Sequence, residues 1–129
     1  MSFMPSLDPG TVVGQAITAW QAAGIDTYRW QLRFACECAF TDPLDVTVVD
    51  GNVTRATSPT GDVPLTDLEG LPLTVDRLLA SASDAMRGGG AVKATWGANG
   101  VPSQINIDFD LHAIDDELNV TVSRFAPAS

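Results

Sequence analysis

Residues 28–40 read Tyr28-Arg29-Trp30-Gln31-Leu32-Arg33-Phe34-Ala35-Cys36-Glu37-Cys38-Ala39-Phe40. Tyr28, Trp30, Leu32, Phe34, Cys36, Cys38 and Phe40 fall on one face of this stretch, and Arg29, Gln31, Arg33 and Glu37 on the other. A period of two sends successive side chains to opposite sides of a strand. The segment therefore predicts a long antiparallel strand with one face on a core and one face wet. Thr41-Asp42-Pro43 ends it, because proline cannot donate to a ladder.

Upstream the period is 3.6. Val13, Ile17 and Trp20, with Ala16 and Ala23, recur at helical spacing. Asp8 suits an N-cap, Pro9 has no amide hydrogen to leave unsatisfied, and Gly24 suits a left-handed C-terminal cap. These signals predict a helix over Pro9–Ala23, preceded by a flexible arm over residues 1–8, with residues 9–129 forming one domain.

Downstream, Asp45–Val49 and Val53–Thr57 flank Asp50-Gly51-Asn52, and Asp-Gly suits a type I′ hairpin turn, whose two central residues need positive φ. Ser58–Pro72 carries Pro59, Gly61, Pro64, Gly70 and Pro72, and reads as a long surface loop. Thr74 caps a second helix with Val75, Leu78, Leu79, Ala82 and Met86 as its buried stripe and Leu73 positioned to staple onto Leu78. Gly88-Gly89-Gly90 stops that helix. Ala91–Trp96 and Ser103–Asp110 form a second hairpin, with Ile105, Ile107 and Phe109 inward and Gln104, Asn106, Asp108 and Asp110 outward. A last strand, Leu118–Phe125, turns Leu118, Val120 and Val122 inward.

The order αβββαβββ is that of an α+β fold, with two helices packed on a mainly antiparallel sheet of about six strands. Two sheets facing each other are the alternative. The two halves resemble a degenerate structural duplication without a residue-level repeat.

Composition narrows the function. The chain has 129 residues, 16 acidic and 7 basic side chains, and a net charge of -9. Its single lysine and the lack of any Lys/Arg cluster along the chain argue against nucleic acid and anionic membrane surfaces as partners. No apolar run approaches the roughly 20 residues of a membrane span. Met1–Gly10 lacks the basic flank and apolar core of a signal peptide, so the chain as given is expected to be soluble. A domain this long can bury a core of its own, which makes its two cysteines optional for folding.

The pattern Tyr28-x-Trp30, Cys36-x-Cys38 and Val46-x-Val48-x-Asp50-Gly51-x-Val53 resembles the DUF6174 family of bacterial domains. So does the second half, with Thr74-Val75-Asp76, then Gly100-x-Pro102-x-x-Ile105-x-Ile107-Asp108, then Asp115-Asp116-Glu117. The resemblance covers about Trp20 to Phe125 and implies no activity. It implies export, as a secreted protein or lipoprotein whose leader has been removed; otherwise the expected compartment is the cytoplasm.

Cys36 and Cys38 are the first chemical candidates. On a regular strand both thiols point at the core beside Phe34 and Phe40, where they act as small apolar groups. A disulfide between them meets a geometric obstacle. Residues i and i+2 of a strand lie about 6.6 Å apart, whereas a disulfide wants Cβ atoms roughly 3.8 Å apart, so a bulge at Glu37 is required. The third alternative is a shared soft metal, but Zn²⁺ wants four ligands and the rest of the chain offers only His112 and carboxylates.

A second candidate, for calcium, is the acidic corner of Asp108, Asp110, His112, Asp115, Asp116 and Glu117, set against a simple solvated turn. Its spacing is not that of an EF-hand. No nucleophile elbow or phosphate loop is present, Gly88-Gly89-Gly90 lacking the Lys-Ser/Thr of the latter, and no cofactor is expected. A hydrolase would have to gather Asp108, Asp110, His112 and a nucleophile in one cleft. Trp20, Trp30 and Trp96 fall on apolar stripes and are expected in the core.

The leading expectation is a non-enzymatic domain that binds a protein or small ligand through its sheet surface and loops, with Ser58–Pro72 the favoured loop. The alternative is a thiol redox or metal-responsive protein acting through Cys36 and Cys38, with Glu37 or Arg33 tuning thiolate formation.

Overall fold

The structure is a computed structural model that describes residues 9–35, 42–109 and 117–128. Its elements follow the expected order: α1 (Pro9–Ala23), β1 (Tyr28–Ala35), β2 (Leu44–Val49), β3 (Asn52–Ser58), β4 (Gly61–Asp62), α2 (Val75–Arg87), β5 (Ala91–Trp96), β6 (Pro102–Asp108) and β7 (Glu117–Pro127). The fold is α+β, with two helices packed with one antiparallel sheet whose order is β4-β3-β2-β1-β7-β6-β5. Seven strands are seen among the described residues against about six expected, because β4 is a two-residue strand inside the stretch expected to be loop.

Each half is a helix followed by a three-strand meander. Across the sheet the first half runs β3-β2-β1 and the second β7-β6-β5, so both halves lie third, second, first and join head to tail through the β1–β7 ladder.

The helix ends follow their capping chemistry. Gly24 ends α1 at φ 64°. The Thr74 hydroxyl accepts from the Arg77 amide at 3.1 Å to open α2. At the other end the Gly90 amide donates to the Ala85 carbonyl at 2.8 Å and the Gly89 amide to that of Met86 at 3.3 Å, a Schellman closure with Gly89 at φ 89°. The Asp50-Gly51 turn has φ 51° and 80°, as a type I′ hairpin requires.

The core lies between helices and sheet. Trp30, Leu32, Phe34, Leu44, Val46 and Val48 point into it from β1 and β2, Ile105, Ile107 and Val120 from β6 and β7, and Val75, Leu78, Leu79 and Ala82 from α2. Ala23, expected on the buried stripe of α1, is exposed. Trp20 and Trp30 are buried as expected, whereas Trp96 is only partly so.

Three aromatic residues close the core and hold the start of α2 by their polar tips. Tyr28 sits edge-on to Trp20 at 5.4 Å and to Trp30 at 5.8 Å between ring centres. The Trp30 indole donates to the Leu73 carbonyl at 3.0 Å, the Val75 amide donates to the Tyr28 hydroxyl at 2.8 Å, and the Trp20 indole donates to the Asp76 carboxylate. Burial, with Asp76 adding to it, pushes the Tyr28 hydroxyl up to about 12 against the opposing pull of the Val75 amide.

Two expectations need correction. Ser58–Pro72 is not a free loop: Gly61–Asp62 pairs with β3, Leu65–Leu68 forms a 3-10 turn, and Leu68 is buried. Leu68 and the partly buried Leu71, set among the prolines and glycines, anchor the connection to the core, which turn signals alone do not disclose. Asp108, expected on the wet face, is half-buried, and its Oδ1 is shut away from solvent with no hydrogen-bond partner among the described residues. The chain packs tightly there, since a Cβ on Gly90 would lie 2.0 Å from the Asp108 carbonyl oxygen.

Candidate functional site

Among the described residues the helices cover one face of the sheet and leave the other exposed. Register determines what that open face presents. Arg55 on β3 lies opposite Thr47 on β2, Thr47 opposite Arg29 on β1, and Arg29 opposite Ala126 on β7, so these four form one row across four strands. With about 4.8 Å between strands, the Arg29 and Arg55 Cα atoms stand roughly 10 Å apart with Thr47 between them. Two long guanidinium side chains can meet over that gap.

The next row is Thr57, Asp45, Gln31 and Ser123. The Ser123 hydroxyl donates to Gln31 Oε1 at 3.0 Å, and Gln31 Nε2 donates to Asp45 at 3.3 Å, so three of the four side chains in this row satisfy one another and Thr57 stands apart.

Arg124 reaches the same place by a break in the ladder. Arg29 faces Ala126 and Gln31 faces Ser123, so two residues of β7, Arg124 and Phe125, stand against the single Trp30 of β1. This is a β-bulge, and Arg124 takes φ 54°, a left-handed conformation that L side chains rarely adopt. The extra residue lets Ser123 and Arg124 both remain outside and returns Phe125 to the apolar side, where its ring lies tilted against Tyr28 at 5.2 Å and edge-on to Trp20 at 6.0 Å.

Arg29, Arg55 and Arg124 then line a groove of about 370 Å³, with Asp45, Thr47 and Thr57 among its other walls. Arg55 is committed: its Nε donates to Asp62 at 2.8 Å, and that hydrogen bond pushes the guanidinium further up from its ordinary value. Arg29 and Arg124 have no hydrogen-bond or ion-pair partner among the described residues. In a chain of net charge -9, three of the seven basic residues meet in one place. Planar guanidiniums with free donors suit oxyanions, which they bind by paired parallel hydrogen bonds.

Arg124 also borders a second cavity, of about 400 Å³, where β7 runs on past the end of β6. Its walls include Val101, Pro102, Val122, Phe125 and Pro127. Arg124 is the one charged residue on them.

Of the residues singled out in the sequence, Cys36, Cys38, Asp110, His112, Asp115 and Asp116 lie outside the described residues, and so does the strand beyond Ala35 expected to reach Phe40. Asp108 stands on β6 opposite Glu117. Among the described residues no three His, Cys, Asp or Glu side chains form a group that could hold a metal ion. No helix among them is long and apolar enough to cross a membrane. Sequence reasoning placed Arg29 and Arg33 on the wet face but missed the groove. Arg29, Arg55 and Arg124 are far apart in the chain, and only the register and the bulge unite them.

The molecule is thus an α+β domain with helices on one face of an antiparallel sheet and a polar, arginine-bearing face on the other. It belongs to the DUF6174 family, a family of unknown function whose sequence model matches residues 13–127. No curated protein and no solved structure matches it.

Proposed function

We propose that this domain is a non-catalytic recognition module and that its ligand meets the open sheet face over β1–β3 and the end of β7. One observation carries the reading: two unpartnered guanidiniums and a paired one converge on a groove in a strongly acidic protein. Selection for solubility alone has no use for that arrangement, because like charges brought together repel. The face is polar and lies on a continuous hydrogen-bonded antiparallel sheet, a scaffold able to hold recognition side chains in place.

The test is an amide-resolved titration of isotope-labelled protein with small carboxylates, phosphates, amines and neutral polyols. Anions are expected to move resonances of residues 29–33, 45–49, 53–57 and 121–126, and each titrant should be recovered unchanged. Shifts confined to the 63–73 connection, or chemical conversion of a titrant, would overturn the reading.

A further inference from the structure

We infer that the ligand is an amphipathic monoanion: a carboxylate head held by Arg29, Arg55 and Arg124, with an apolar body that enters the cavity behind Arg124. The inference rests on the reading of the open face as the recognition surface and adds the chemical class of what it recognises.

The charge of the groove sets the head. Three guanidiniums face Asp45 on the groove wall and Asp62 on Arg55, which leaves an excess of one positive charge. A single carboxylate balances that excess. A polyphosphate would bring several charges against two fixed aspartates. Thr47 and Thr57 add hydroxyl donors whose side chains make no other hydrogen bond among the described residues.

The second cavity sets the body. Valine, proline and phenylalanine side chains dominate its walls, and its volume of about 400 Å³ is that of a small-molecule site. Arg124 borders both spaces, so a head on its guanidinium has an apolar refuge next to it. The bulge builds this junction. Without the extra residue, Arg124 would turn toward the core and Phe125 toward solvent, and both cavities would lose a wall. A left-handed arginine is a strained choice where glycine would be comfortable, and strain of this kind collects at binding sites.

The experiment titrates the full chain with octanoate, with acetate as a head lacking a body and octanol as a body lacking a head. Phosphatidylglycerol vesicles supply the anionic head in a membrane. Octanoate is expected to move resonances of Arg29, Arg55 and Arg124 together with those of residues 97–103, saturably and at 150 mM salt. Acetate and octanol should each bind at least about tenfold more weakly, the loss expected when a charged hydrogen-bond set or the apolar contact is removed. Arg124→Gln should weaken octanoate by a similar factor with an unchanged melting temperature, whereas Arg33→Gln and Arg77→Gln, which remove the same charge elsewhere, should not.

Equal binding of octanoate and acetate would overturn the apolar half of the inference, and equal losses in all three variants would overturn the site. Binding to vesicles with none to octanoate would overturn the free monoanion in favour of a membrane surface. If octanoate fails while other anions still move the open face, this inference falls and the proposed recognition surface stands; if nothing moves that face, both fall.

Discussion

The open face of the sheet divides at the β1–β7 ladder into two regions of opposite habit. On the second half two polar pairs bridge neighbouring strands: Thr95 and Ser103 share a hydrogen bond of 2.7 Å, and Asn106 donates to Asn119 across β6 and β7. On the first half and at the bulge of the adjoining β7, beyond the pairs around Gln31, Arg29 and Arg124 are left without partners among the described residues. Cross-strand pairing is the ordinary way a wet sheet face contributes stability, at about 0.2–1 kcal/mol per pair. Away from that bulge the second half uses these side chains for cross-strand pairing. The first forgoes part of that gain and keeps charged donors available, as a surface that must meet something else does.

The halves also differ in how they are tied to the helices. The second is tied by a backbone approach so close that only glycine fits: in the turn Ala98–Gly100, a Cβ on Gly100 would stand 2.1 Å from the Ala16 carbonyl oxygen of α1. Gly100 also has φ 79°, so an L side chain there is both clashing and strained. Gly100→Ala is the sharpest way to break that half. We expect a loss of about 3 kcal/mol or more, from backbone strain plus a forced displacement of α1. Urea denaturation would measure it, and a change below about 1 kcal/mol would mean that the turn yields freely.

The first half is tied by aromatic tips. Tyr28→Phe keeps the ring packing and removes the acceptor for the Val75 amide, a buried donor at the start of α2. Stranding such a group costs about 1–3 kcal/mol. The same contact gives a pH signature. Burial raises the Tyr28 hydroxyl from 10.0 to about 12 in the folded protein, so the folded state disfavours the phenolate. Its stabilising contribution is complete below the unfolded value and is lost as pH rises through that window. Melting temperature should therefore fall faster with pH above 10 in the wild type than in Tyr28→Phe. Parallel curves would mean that Tyr28 titrates normally.

Much of this was legible in the sequence. Alternation over Tyr28–Ala35 disclosed both the buried row and the wet row of β1, and Pro9, Gly24, Thr74 and Gly88-Gly89-Gly90 bounded the helices, because caps and periods are local properties of the chain. The groove was not legible, because it depends on pairing. Arg29 and Arg55 become neighbours only through two ladders, and strand order follows from which edges meet, on which residue patterns are silent. Arg124 was hidden more deeply. Strict alternation from Val122 turns Arg124 inward and Phe125 outward, and the inserted bulge reverses both. A Phe that breaks the alternation at a strand end, next to an arginine, is a faint sign of such a bulge.

Arg124 offers the smallest and most discriminating change. An L residue at φ 54° carries a conformational penalty that glycine avoids, about 1 kcal/mol in the left-handed region, partly offset by glycine's greater freedom when unfolded. If the bulge is held by Phe125 returning to Tyr28 and Trp20, then Arg124→Gly keeps the fold and gains a few tenths of a kcal/mol to about 1 kcal/mol. The variant should also lose binding at the open face, since the groove and the apolar cavity both lose their shared guanidinium. Stability up and recognition down in one substitution is the pattern of a residue kept for its function. Chemical denaturation beside the octanoate titration reads both at once. A destabilised Arg124→Gly would mean instead that the arginine side chain itself holds the bulge, and the contrast between the two halves would then be one of packing.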